Sequence, residues 1–284
     1  MKHKDTINHE QYHECISRLR SFFIKKGFLE YPSQSLPSIL AACEDPSTIG
    51  TYSSGGTLWA LPQTGQMWLE HALLNNPDSP GFFCATTSYR DEPNPTPGRH
   101  LRVFPMFEFE TKGDLTVLRS LECELLEFLG FGKKDTFTHD TYENTAKRYG
   151  VTEITGAVET KIGDAENPVF FLESFPIETS PFWNMRMDGT TARKIDVLLH
   201  GMETIGSAER SIDTDMMRSM FYTISDGMYA KTLFEKFGRE RVTEELEIFL
   251  ALSFFERSGG GIGVTRLMRA MELSDLFFQP LTSD

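Results

Sequence analysis

Three stretches of this 284-residue chain carry side chains whose types and spacing could do chemistry. The first is a pair of segments, 81–90 and 101–110, joined by a run that holds three prolines and one glycine. Arg90, Asp91 and Glu92 close the first segment, and Arg99 and His100 lead into the second. Strand alternation puts Arg102, Phe104, Met106, Glu108 and Glu110 on one face, so that two carboxylates and a basic group stand beside an aromatic ring. A solvated strand accounts for the charges but not readily for Phe104 among them. The second stretch begins at Asp196, with Glu203 and Arg210 following at successive intervals of seven. Carboxylates on neighbouring strand ends suit Mg²⁺, a hard cation that takes oxygen ligands; an ordinary surface hairpin has the same composition. The third is Gly259-Gly260-Gly261-Ile262-Gly263-Val264-Thr265-Arg266. Glycines let backbone approach a ligand closely, and a helix N-terminus follows. No Gly-Lys-Ser/Thr follows, so this is not a P-loop, and no strong parallel strand with a downstream acid makes it a dinucleotide fingerprint. A flexible loop is the competing reading.

One motif is a decoy. His9-Glu10-Gln11-Tyr12-His13 fits the H-E-x-x-H zinc-protease pattern. It lies at the very start of the chain, and no third ligand follows at a suitable spacing. A solvated first helical turn explains it better than a zinc site does.

The elements that must position these residues can be read from periodicity. Residues 9–26, 66–75, 115–131, 214–237, 239–250 and 264–272 read as helices, with Gly132 as the stop after the third. Residues 81–90, 101–110, 168–175 and 194–200 read as strands, and 28–57 as loops around short strands. Hairpin strands separated by helices predict an α+β fold, an antiparallel β-sheet flanked by helices, in one domain spanning 1–284. The net charge of −13 argues against nonspecific nucleic-acid binding, which needs Lys and Arg for phosphate contacts. The four cysteines, Cys15, Cys43, Cys84 and Cys123, are scattered and form no disulfide framework or zinc knuckle. No apolar run approaches the roughly 20 residues that span a bilayer. A soluble cytoplasmic protein is the expectation.

Together and in this order, the three stretches resemble the class II aminoacyl-tRNA synthetases of the aspartate/asparagine/lysine subgroup, over roughly residues 15–272. Arg90-Asp91-Glu92 and the run from Arg99-His100 to Glu110 are similar to that family's second signature. Gly261-Ile262-Gly263-Val264-Thr265-Arg266 is similar to its third, and Asp196, Glu203 and Arg210 match an intervening acid–acid–arginine spacing. Gln63-Thr64-Gly65-Gln66-Met67-Trp68-Leu69-Glu70 resembles the asparaginyl branch, since aspartyl enzymes carry a lysine where this chain has Leu69. The resemblance implies the class II catalytic fold, a homodimer, and ATP-dependent activation of an amino acid to an adenylate with release of pyrophosphate. It assigns Arg90 to the α-phosphate and carboxylate, Phe104 and Arg266 to the adenine, and Glu92, Arg99, His100 and Gly263 to the nucleotide. Asp196 and Glu203 fall to Mg²⁺, and Gln66, Glu70 and Arg210 to the amino acid. Glu44 is the candidate partner for the substrate ammonium. A carboxylate at Glu70 would accept from an amide N–H and repel aspartate, which favours asparagine.

The chain departs from the family pattern in several places. Val103 replaces the usual Glu before Phe104, the 91–100 loop is one residue longer, and the motif 1 proline is displaced, with Pro32 and Pro37 flanking its place. Phe249-Leu250-Ala251-Leu252 stands where the family is Arg-rich, and Phe277-Phe278-Gln279-Pro280 where it has Phe-Pro-Arg. No anticodon-binding barrel is expected. These departures bear on tRNA charging more than on ATP binding. The acyl acceptor stays open between a tRNA end, a small molecule and ammonia, the last making the chain an AMP-forming asparagine synthetase acting on aspartate. A non-catalytic regulatory or binding paralogue is the reading from a different class.

Overall fold

The computed structural model describes residues 7–33, 38–40, 46–179 and 181–278. Glu44, Cys43, Pro37 and the segment from 279 onward lie outside the described residues.

The first helix, α1 (His9–Lys25), starts where the Asn8 side chain accepts from the Glu10 and Gln11 amides at 3.1 and 3.2 Å. That satisfies two donors which have no partner inside the helix. His9 and His13 of the zinc-like motif are exposed on this helix, and no group of three metal-ligating side chains occurs among the described residues. After β1 (Leu29–Glu30) comes a small hairpin, β2 (Thr51–Ser54) and β3 (Thr57–Ala60), in the region expected as loops around short strands. Helix α2 (Gln66–Asn75) leads to β4 (Gly81–Tyr89), which pairs along its whole length with β5 (Val103–Lys112) across the proline-rich loop. Helix α3 (Leu115–Leu129) is capped by Asp114 and stops at Gly130, φ 98°, two residues before the expected stop. Gly130 takes the left-handed conformation that ends helices with least strain.

Four elements had no strong local signal: β6 (Thr138–Thr141), α4 (Tyr142–Tyr149), α5 (Gly156–Ala165) and the two-residue β8 (Met187–Asp188). They surround β7 (Val169–Pro176) and β9 (Thr191–Leu199). A two-residue turn at His200 and Gly201, both with positive φ, joins β9 to β10 (Met202–Glu209). That is the type I′ geometry matching the twist of paired strands. The expected helix over 214–237 is two helices, α6 (Thr214–Thr223) and α7 (Met228–Phe237). Ser225, Asp226 and Gly227 all have positive φ and break it; the Asp-Gly pair is the breaker the periodicity overlooks. Helix α8 (Arg239–Leu250), strand β11 (Arg257–Gly263) and helix α9 (Val264–Leu273) are the last of the described elements.

The main sheet runs β1-β4-β5-β11-β10-β9-β7-β6, with β8 on β9. Its inner pairs are antiparallel, and the outermost pairs, β1 with β4 and β6 with β7, are parallel. One face is the apolar core: Phe83, Phe107, Phe109, Val197, Ile205 and Ile262 pack on α1, α3 and α9. Among the described residues the other face is covered by α2 over β4 and part of β5, and by α4 and α5 over β7, β9 and part of β10. A cleft remains over β5, β11 and β10. Strand alternation thus aims Phe104, Met106 and Glu108 at the cleft while Phe107 and Phe109 enter the core. No described helix is long and apolar enough to cross a membrane.

Away from the cleft, the core holds a buried carboxyl group. Glu122, on α3, is fully buried with neither carboxyl oxygen in hydrogen-bonding geometry. Burial pushes it up to about 8, with the nearby Asp196 and Glu173 carboxylates acting in the same direction and the Ser207 hydroxyl opposing. The folded chain therefore holds a proton that the unfolded chain releases, and stability falls as pH rises from the ordinary carboxylate range toward 8. Glu122→Gln is expected to raise stability in urea at pH 8 by about 3 kcal/mol, and at pH 5 by less than about 1 kcal/mol. An equal gain at both pH values would show that this carboxyl is not the titrating group.

Candidate active site

The cleft contains two adjoining cavities. The first is walled by Arg90, Glu92, Arg99, His100, Phe104 and Arg266, with Glu203 and Gly263 at its edge. The second is lined by Gln66, Glu108, Phe182, Lys194 and Arg210, among others. Arg90, Met106, Glu203, Gly206 and Gly261 line both. Residues from three separated stretches of sequence therefore meet over one piece of sheet.

The glycines make the floor. A Cβ on Gly261 would lie 2.8 Å from Met106 Cε, and one on Gly259 would lie 2.4 Å from the Phe109 carbonyl oxygen. The long side chains of β5 lie flat across β11 because Gly259 and Gly261 carry none at the crossing. The loop reading of the glycine run is thereby replaced by a strand.

A β-bulge re-aims the acids. The β9–β10 register slips between Glu203 and Ile205. Ile205 enters the core while Glu203 and Gly206 face the cleft, which strict alternation would forbid. A Cβ on Gly206 would stand 3.0 Å from Glu203 Oε1 and 3.6 Å from Asp196 Oδ1, so the two carboxylates converge over this bare strand position. Two converging carboxylates fit Mg²⁺, which is usually held by one or two carboxylates together with substrate phosphates. Asp196 Oδ2 is also 2.9 Å from Lys194 Nζ.

Arg90 stands at the end of β4, its amide donating to the Arg102 carbonyl at 2.7 Å. Its guanidinium lies 5.6 Å from the Phe104 ring, and its buried Nε has no hydrogen-bond partner among the described residues. Arg266 donates to the Glu203 carbonyl at 2.7 Å, and its Nη1 is 3.6 Å from Glu203 Oε2. His100 Nδ1 is 3.0 Å from Glu92 Oε1.

One residue read from the sequence as a substrate contact, Glu70, sits elsewhere. Glu70 is fully buried and does not line the cavity. Its Oε2 takes Arg257 Nε and Nη2 at 3.0 and 2.6 Å, and its Oε1 takes Asn184 Nδ2 at 2.7 Å. Gln66 and Glu70 share a helical face, but Glu70 lies one turn deeper, beneath the cavity wall. Leu69 packs with Leu73, Phe82 and Cys84 in the core under α2. Arg210 does line the cavity, 3.5 Å from Glu110 and 3.8 Å from Glu70. Burial raises both Glu108 and Glu110, with Arg210 opposing in each case. Glu108 is held by the Gly65 amide at 2.7 Å and by the Thr64 hydroxyl. Sequence reasoning missed Lys194, although its place two residues before Asp196 puts it on the same strand face. It also missed Glu159, which has no local signal at all.

An antiparallel sheet with a glycine-floored cleft, an arginine-lined wall and converging carboxylates is the architecture of the class II synthetase catalytic fold. The sequence matches the family described as tRNA synthetases class II (D, K and N) over residues 4–275, and the chain belongs to that family. A search of curated sequences finds no significant match. Among solved structures, asparaginyl-tRNA synthetase from Pyrococcus horikoshii complexed with asparaginyl-adenylate is similar, with TM-score 0.73 and 22% identity. That match covers 93% of this chain and 64% of the other. The Entamoeba histolytica asparaginyl-tRNA synthetase in complex with asparaginyl-adenylate gives 0.70 and 19%, covering 93% and 63%. The aspartyl tRNA synthetase from the same organism gives 0.66 and 18%, covering 92% and 54%. These likenesses establish the fold, and the chain spans about two thirds or less of the length of each.

Proposed function

We propose that this chain activates an amino acid with ATP, forming an aminoacyl-adenylate and releasing pyrophosphate. The observation that carries this is the shared wall: Arg90 and Glu203 line both cavities, where a nucleotide and an amino acid would have to meet. In this reading one α-carboxylate oxygen attacks the α-phosphorus, the new P–O bond forms, and the bond to the pyrophosphate oxygen breaks. The carboxylate is already ionised at neutral pH, so no general base is needed. Arg90 orients the two reactants and meets the charge that develops between them. Phe104 and Arg266 hold the adenine between them, and Glu92, Arg99, His100 and Gly263 line the remainder of that pocket. Glu203 and Asp196 would hold Mg²⁺, which offsets the triphosphate charge.

Gln66 and Arg210 read the amino acid in this proposal. The case for asparagine drew on Glu70, whose oxygens are already engaged. With Glu70 withdrawn, the cations on the cavity wall are Arg210, which lies beside Glu110, and Lys194, which a substrate carboxylate would share with Asp196. That supports an acidic side chain, aspartate, over asparagine, and keeps ammonia open as the acyl acceptor beside a tRNA end or a small amine. The test is ATP–pyrophosphate exchange with each of the twenty amino acids. Exchange with aspartate above asparagine is expected; the reverse order would restore the asparagine reading. No exchange with any, alongside no ATP binding, would leave a non-catalytic binding role.

A further inference from the structure

Helix α5 belongs to neither signature, yet it is bonded to two residues of the nucleotide wall, Arg99 and Glu203. It sits on the β9–β10 turn at contact distance: a Cβ on Gly163 would lie 2.3 Å from the Gly201 nitrogen. One turn earlier Glu159 projects toward the cleft, its side chain only 15% exposed. Its Oε2 pairs with Arg99 Nη2 and accepts from the Glu203 amide at 3.3 Å. Arg99 is further held by Thr160 Oγ1 at 3.4 Å, and its Nε would be 2.7 Å from a Cβ on Gly156. The glycine at the helix start is what lets the guanidinium lie flat against α5. Arg266 completes the loop, donating to the carbonyls of both Glu203 and Arg99, at 2.7 and 3.4 Å. One carboxylate thus ties the 91–102 loop to the bulged strand that carries Glu203.

We propose that Glu159 is a positioning residue for the nucleotide, acting through Arg99 to fix the long 91–102 loop as one preformed wall of the ATP cavity. The inference rests on the nucleotide reading of that cavity. A loop of twelve residues is costly to order on ligand arrival, and a tether that orders it beforehand shifts that cost to folding. Glu159 reaches the loop through the Arg99 side chain, and Glu159→Gln keeps an oxygen for the Glu203 amide, so the effect of that substitution should vanish when Arg99 is gone.

The experiment is a calorimetric titration of the full chain with ATP and Mg²⁺, comparing wild type, Glu159→Gln, Arg99→Ala and the double variant. Glu159→Gln is expected to weaken ATP binding about tenfold, and Arg99→Ala by at least as much. The double variant should match Arg99→Ala within about twofold, because coupled residues are not additive. In pyrophosphate exchange, Glu159→Gln should raise the KM for ATP and leave the KM for the amino acid unchanged. General destabilisation would not separate the two constants in that way. Wild-type affinity in Glu159→Gln, or losses that multiply in the double variant, would overturn the positioning role. Failure of the wild-type chain to bind ATP would instead overturn the nucleotide reading and this inference with it.

Discussion

Arg90→Ala is expected to lower ATP–pyrophosphate exchange by about 10²–10³-fold, mostly in kcat, the range seen when one preorganised donor to a developing charge is removed. The expectation follows from where the side chain stands. Arg90 is fixed by a backbone bond to Arg102 and an isolated bridge to Ile49, so its guanidinium is aimed before any substrate arrives. It lies against Phe104 and keeps a buried Nε without a partner among the described residues. A buried donor left unmet costs free energy in the empty chain, and a ligand that accepts from it recovers that cost. Its position on the wall common to both cavities makes the reacting oxygens the natural acceptors. Arg90→Lys keeps the charge but loses the planar fork, and should recover only part of the rate. Thermal stability should change little in either variant. Full exchange by a well-folded Arg90→Ala chain would remove Arg90 from the mechanism.

Arg257→Ala should have the largest effect on stability, a loss of about 3–5 kcal/mol. Arg257 and Glu70 are both fully buried and bonded in two places. Arg257 also donates to the Ser211 carbonyl at 3.1 Å, which anchors the segment just after Arg210. Removing the arginine leaves a buried carboxylate with only Asn184 and the more distant Arg210 beside it, and that is the costly step; replacing both partners by apolar residues of similar volume is far milder. Urea unfolding should therefore show Arg257→Ala strongly destabilised and the double variant Glu70→Leu/Arg257→Met much closer to wild type. If Glu70 served substrate selection instead, Arg257→Ala would shift the preference among amino acids while the unfolding midpoint stayed put.

These two residues mark how far the sequence could be read. Arg90 was legible because it belongs to a stretch whose local pattern, an arginine ahead of a proline-rich loop and an alternating strand, carries its own geometry. Glu70 was misread for the opposite reason. Its helix was read at its observed limits, 66–75, but a helix position fixes only a direction, and the depth of α2 against the sheet decides whether that direction meets the cavity or the buried Arg257. Arg257 lies 187 residues away, and no periodicity within α2 refers to it.

The sequence by itself determined the hairpin of β4 and β5, the face of β5 that carries Phe104 and Glu108, and the helix after the glycine strand. Each follows from a period of two or 3.6 residues within one segment. Only the folded arrangement settles that β10 bulges to turn Glu203 over Gly206 and that Glu159 from an unsignalled helix closes on Arg99. Those outcomes depend on which strand lies beside which and on the space a missing Cβ leaves. Both are properties of distant segments brought together, and neither is written in the residues adjacent in the chain.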